Sequence, residues 1–150
     1  MAPPFTRLPS VPELPALEQE ILEFWQRERV FDRLREQNAE GPRFSFFDGP
    51  VTANKTMGVH TAWGRTLKDV FLRYKALRGY HQRYQNGWDC QGLWIEVAVE
   101  KSLGMNSKKE IEEYGLDKFA AKCRDIVAWS SGELRRASER LGQWMDWERD

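Results

Sequence analysis

Apolar positions recur along this chain first at helical spacing, then in a short run, then at helical spacing again, and each change of period marks a boundary. Leu17, Ile21, Phe24, Trp25, Phe31 and Leu34 form a stripe with Glu18, Glu20, Glu23, Arg27 and Arg33 opposite, which predicts one helix from Leu14 to about Gln37. Asn38 to Pro42 is a turn. Phe44, Phe46 and Phe47 predict a strand broken by Asp48-Gly49-Pro50. From Gly58 onward Trp63, Leu67, Val70, Phe71, Tyr74 and Leu77 return to helical spacing, and Gly79 is placed to close that helix. His81 to Asp89 predicts a second strand ending at Asn86-Gly87, with Asp89 near its terminus.

Farther on, Gln91 to Leu103 favours a helix stopped by Gly104, although the alternation in WIEVAVE suits a strand equally. Ser107-Lys108-Lys109-Glu110 matches a capping box, in which hydroxyl and carboxylate each satisfy a free backbone N–H, and Gly115 ends the short helix it opens. Leu116, Phe119, Cys123, Ile126, Val127, Leu134, Ala137, Leu141 and Trp144 describe either one long helix or two divided at Trp129-Ser130-Ser131-Gly132. The fold class read from this order is α/β. Residues 1–15, which carry five of the seven prolines, are expected to be an extended arm; residues 16–42 form the N-terminal helix and turn, and 43–150 the rest.

The central unit is strand, loop, helix. It puts a helix N-terminus just beyond a strand end, where unpaired first-turn N–H groups and the helix dipole favour an anion. Gly58 removes a Cβ there, and His60 and Thr61 add an imidazole and a hydroxyl. Composition narrows the partners. Twenty-three basic residues balance twenty-three acidic ones, so no general attraction to nucleic acid is expected. The two cysteines, Cys90 and Cys123, are far apart in sequence and support neither a disulfide framework nor a metal site. The expected setting is cytoplasmic and reducing, with no membrane association.

FFDGPVTAN, TLKDVFLRYKALRGY and above all NGWDCQGLWIE resemble, in order and spacing, the start of class I aminoacyl-tRNA synthetases of the isoleucine, valine and leucine group. The likeness covers about Pro12 to Asp150 and is greatest to the isoleucine enzymes, with the valine enzymes as the nearest rival. It implies the first half of a Rossmann-like nucleotide-binding catalytic domain, with an N-terminal helical arm and C-terminal helices. The chain is expected to be a fragment, because no lysine-rich loop of the second half occurs in it and it ends beside an apolar Trp144, Met145, Trp147 cluster.

The implied activity is ATP-dependent formation of isoleucyl-adenylate, with Mg2+ accompanying ATP as the substrate complex, followed by transfer to tRNA(Ile). The resemblance assigns catalysis to His60 and Thr61. It assigns ATP binding to Asp48, Gly49, Asn54, Gly58, Val59 and His60, and amino-acid binding to Pro50 and to Asp89, whose carboxylate would hold the substrate ammonium. Gly58-Val59-His60-Thr61 stands where the family has His-x-Gly-His, so Thr61 replaces the second imidazole. Two alternatives stay open: Asp89 as a cap for the following helix, and the whole chain as a non-catalytic nucleotide-binding or interaction module.

Overall fold

The computed structural model describes residues 10–46 and 49–149. Six helices and a two-stranded sheet follow in the order α1 (Leu14–Arg27), α2 (Val30–Gln37), β1 (Val51–Thr52), α3 (Val59–Leu77), β2 (Trp88–Asp89), α4 (Leu93–Leu103), α5 (Lys108–Tyr114) and α6 (Leu116–Arg140). Because β1 and β2 are parallel, α3 is the crossover between them.

The single N-terminal helix expected from the apolar stripe is two helices. Arg29 adopts a left-handed conformation with φ of 50° and ends α1. Its Nε donates to Asp32 Oδ2 at 3.1 Å, so the residue that breaks one helix pairs with the first turn of the next. The bend lets both helices reach one aromatic cluster: Trp25 meets Trp144 edge-on with centroids 5.1 Å apart, and Phe31 meets Tyr84 at 5.0 Å. Helix formation also begins inside the expected extended arm, at Leu14, with Pro15 in the first turn where its missing N–H costs nothing.

The strand expected at Phe44–Phe47 is displaced. Regular pairing occurs at Val51↔Trp88 and Thr52↔Asp89, preceded by an isolated parallel bridge at Arg43↔His81. At that bridge Phe44 N–H donates to the His81 carbonyl and His81 N–H to the Pro42 carbonyl. Tyr84 explains the interruption: its φ of 59° turns the second segment out of the extended conformation between the two pairings. The same residue displaces the second strand to Trp88–Asp89, after Asn86-Gly87 and not before it. Phe47, where the expected strand ended, lies outside the described residues. Phe44 and Phe46 serve the core, packing against buried Leu72, Tyr84 and Met145 together with Phe31, Trp144 and Trp147.

The helix reading of Leu93–Leu103 holds, with Ile95 and Val99 buried and Gly104 in the left-handed region as its C-cap. At α5 the Ser107 hydroxyl accepts from Glu110 N–H, while Glu110 Oε2 accepts from the N–H of Asn106, one residue earlier than a standard box requires. Of the two readings of the C-terminal stripe, the single helix is the one observed: no break falls at Trp129–Gly132. The Ser131 and Ser138 hydroxyls donate back to Ala128 and Leu134 carbonyls of the same helix, and Ser130 and Ser138 are small enough to be fully buried. α6 therefore runs unbroken and packs against α4.

Candidate functional site

β1 delivers the chain to the site. Past Thr52 it turns through residues 53–58, and Gly58, extended at φ −89° and ψ 165°, is the N-cap of α3. Gly58 offers no side chain to the first turn, and no side-chain cap bond forms. Val59, His60 and Thr61 thus open α3 at the carboxyl end of β1, which is also the carboxyl end of β2 because the strands are parallel. Ligands of open parallel sheets bind at that end.

The glycine has a local purpose that its sequence context did not reveal. A Cβ on Gly58 would stand 3.0 Å from His60 Cε1 and 3.2 Å from Nδ1, so the imidazole lies over the face that a side chain would otherwise occupy. His60 and Val59 are exposed and Thr61 is half-buried. Asn54 sits in the turn after β1, with its N–H donating to the Thr52 carbonyl and its side-chain Oδ1 buried with no hydrogen-bond partner. Gly49 and Pro50 are exposed and immediately precede β1. Asp48, expected among the nucleotide-side residues, lies outside the described residues.

Asp89 closes β2 opposite Thr52, half-buried, and its Oδ2 accepts from Thr52 Oγ1 at 3.1 Å. The Ala53 N–H donates to the Asp89 backbone carbonyl at 2.9 Å, so side chain and main chain both bind Asp89 to the start of the 53–58 turn. The capping alternative is weak in this geometry. Gly92, not Asp89, is the N-cap of α4, and the carboxylate receives only a 3.5 Å contact from Gln91 N–H.

Two supporting residues escaped the sequence reading. Thr52 orients the Asp89 carboxylate, and its only signal was a threonine at a strand end. Arg65 lies on the inner face of α3 with 2% exposure; its Nη1 donates to Asn86 Oδ1 at 3.1 Å and Gln143 Oε1 at 3.0 Å, and its guanidinium lies 4.9 Å from the Trp88 ring centroid. An arginine opposite the apolar stripe of Trp63 to Leu77 reads as surface, and here that side is the buried one. Farther along α3, Asp69 pairs with Arg73 at 2.5 Å.

Two clefts lie elsewhere. One of about 610 Å³ is bordered by Arg35, Arg43, Arg83, Tyr84 and Asp146. The other, about 600 Å³, is bordered by α4, α5 and α6 and is lined by both Cys90 and Cys123. Burial, reinforced by Glu96, pushes the Cys123 thiol up, which disfavours the thiolate. Among the described residues no group of three or more His, Cys, Asp or Glu is arranged to hold a metal, and no helix is long and apolar enough to cross a membrane.

A parallel β–α–β unit with a helix N-terminus at the carboxyl end of its strands is a place where ligands of open parallel sheets bind. The family follows from residues 20–150, which match the model for tRNA synthetases class I (I, L, M and V): the chain belongs to this family. It is 43% identical over 143 residues to an isoleucine–tRNA ligase of Thermobifida fusca, covering 95% of this chain and 14% of that protein. To the isoleucine–tRNA ligase of Thermus thermophilus it is 44% identical over 137 residues, 91% of this chain and 13% of the relative. A Streptomyces avermitilis isoleucine–tRNA ligase gives 42% over 147 residues, 97% of this chain and 14% of the relative. The chain thus spans about a seventh of the length of the curated relatives it matches.

Proposed function

We propose that this chain is the nucleotide- and amino-acid-binding opening segment of an isoleucyl-tRNA synthetase, acting as part of a larger Rossmann-like catalytic domain. The observation that carries the reading is Asp89: a half-buried carboxylate at the carboxyl end of a parallel strand, held by Thr52 and not used as a helix cap. A carboxylate so placed suits the ammonium of isoleucine, because a desolvated charge needs an opposite partner. Pro50 would border that amino acid, and Gly49, Asn54, Gly58 and Val59 would meet ATP, which arrives with Mg2+ as substrate.

In adenylate formation the amino-acid carboxylate attacks the α-phosphorus and pyrophosphate leaves, so no enzyme nucleophile is required. The protein's share is alignment and stabilisation of charge developing on the phosphates. In this reading the His60 imidazole and the open first-turn N–H groups donate to phosphate oxygens, and Thr61 supplies one neutral hydrogen bond where the family has a second imidazole. Transfer to tRNA(Ile) would use surfaces outside these 150 residues.

The test is a chimera in which this chain replaces the matching segment of the Thermobifida fusca enzyme. It should catalyse isoleucine-dependent ATP–pyrophosphate exchange, and Asp89→Asn should weaken isoleucine binding by about 2–5 kcal/mol with ATP binding changed far less. A folded chimera that binds isoleucine equally well with Asp89→Asn refutes the assignment. A preference for valine moves it to the valine enzymes.

A further inference from the structure

His60 and Asp89 sit on different elements, α3 and β2, and adenylate formation needs those elements at a fixed spacing. Isoleucine held by Asp89 must bring its carboxylate within about 3–3.5 Å of an α-phosphorus whose oxygens face the first turn of α3. The chain joins β1 to α3 through the turn at residues 53–58, in which Lys55 and Thr56 are exposed. A surface turn of that kind does not by itself hold a helix to a strand. A direct bond between them does, and Arg65, five residues beyond His60 on α3, makes one.

Arg65 Nη1 donates to Asn86 Oδ1, and the guanidinium lies against the Trp88 ring, 4.9 Å from its centroid. These two contacts fall on either side of Gly87, which has no side chain to anchor and open space where a Cβ would stand. Trp88 is the first residue of β2 and pairs with Val51; Asp89 is the next and pairs with Thr52. The guanidinium therefore grips the strand one residue before the carboxylate assigned to isoleucine. We propose that Arg65 is a positioning residue for adenylate formation, setting the spacing between the first turn of α3 and Asp89. The proposal rests on the synthetase reading above and adds to it a buried residue that touches neither substrate.

A guanidinium suits this task better than an apolar side chain. Replacing a buried charged network outright by apolar residues of like volume is often neutral for stability, so filling the space does not call for Arg65, Asn86 and Gln143. Apolar contact tolerates sliding, whereas hydrogen bonds from a rigid planar fork hold a direction as well as a distance. The second Nη1 bond, to Gln143 Oε1, reaches the segment that follows α6. The two acceptors thus separate two roles: one bond reaches the strand that carries Asp89, the other a segment to which no site residue is assigned.

The test uses the Thermobifida fusca chimera, with isoleucine-dependent ATP–pyrophosphate exchange measured per folded enzyme and the dissociation constants of isoleucine and of ATP measured separately. Arg65→Lys should lower the maximal exchange rate about 10- to 100-fold, as expected for a displacement of about 1 Å, while each dissociation constant stays within about threefold. Asn86→Leu leaves Arg65 bonded to Gln143 and serves should Arg65→Lys not fold; it should do the same. Gln143→Leu should lower the melting temperature as much as Asn86→Leu yet leave the rate within about twofold. Rates that simply follow the melting temperatures, with Gln143→Leu as slow as Asn86→Leu, overturn the proposal. So does an unchanged rate in Arg65→Lys or Asn86→Leu, or a loss confined to isoleucine affinity. A chimera carrying the unaltered chain but showing no isoleucine-dependent exchange refutes the synthetase reading and the positioning role with it, whereas an active one whose variants keep their rate refutes positioning alone.

Discussion

Replacing Arg65 by methionine tests whether the polar ties beneath the site stabilise it. Methionine retains most of the buried stem but removes the guanidinium, and with it the donor to Asn86 Oδ1 and to Gln143 Oε1, both on residues no more than 6% exposed. Depriving two buried amide oxygens of a donor costs about 1–3 kcal/mol each, and losing the contact with the Trp88 face adds about 1 kcal/mol. Relief from burying a charge offsets part of this. The expected net loss is about 3–4 kcal/mol, a large share of a typical domain's 5–15 kcal/mol. Urea denaturation followed by tryptophan fluorescence would report it as a lower midpoint at constant slope. Arg65→Lys, which keeps the charge but not the planar fork, should lose about half as much. If Arg65→Met costs less than about 1 kcal/mol or stabilises the chain, charge burial outweighs the network and the argument fails.

Two further outcomes follow from burial and from space. Burial raises the Tyr84 hydroxyl from 10.0 to about 12, partly countered by Arg73. The folded state then keeps its proton after the unfolded state has lost it, so stability is intact below pH 10 and falls by up to about 3 kcal/mol as the pH rises through 12; Tyr84→Phe should flatten that alkaline loss, and an equally steep loss in the variant would disprove the cause. Gly58→Ala should displace the His60 ring, seen as moved imidazole proton resonances, and should cost about 1 kcal/mol of stability because alanine is a poorer N-cap than glycine even though φ at Gly58 suits it; unmoved resonances would show that the ring does not rest there.

Much of the helical content was legible because caps and stops are local. Gly104, Gly115 and the Ser107–Glu110 pair each end or begin a helix through interactions spanning a few residues. The failures came from residues whose conformation is imposed from a distance. Arg29 and Tyr84 adopt positive φ without being glycine or asparagine, and the packing of Phe31 and Tyr84 against each other holds both turns. The strand at Phe44–Phe47 was misread because aromatic residues suit a strand and a core equally, and here the core claims Phe44 and Phe46. At the site, Gly58, Val59, His60 and Thr61 were legible as a first helical turn, and Asp89 as a strand terminus. Thr52 was not, because its bond to Asp89 exists only once two strands separated by a whole helix lie side by side.

The ties on the inner side of α3 explain how an exposed imidazole can be held in place. Asn38 Nδ2 donates to the Ala76 carbonyl in the last turn of the helix, which also accepts from the Gly79 N–H. One turn earlier Gln82 Nε2 donates to the Leu72 carbonyl, and Arg73 donates to the Gly142 carbonyl while its guanidinium lies 4.0 Å from the Trp144 centroid. Arg65 adds the fourth tie, nearest the N-terminus, to Asn86 and Gln143. Polar bonds are directional where apolar contact is not, so four tied positions reaching three segments fix rotation of the helix about its axis as well as its distance from the core. Rotation is the variable that matters at the far end. Turning α3 by one residue, about 100°, would carry His60 off the side that it shares with Gly58 and put Thr61 there instead. A helix held only by Leu72 and Ala76 could slip in that way; one held by Asn38, Gln82, Arg73 and Arg65 cannot without breaking buried hydrogen bonds.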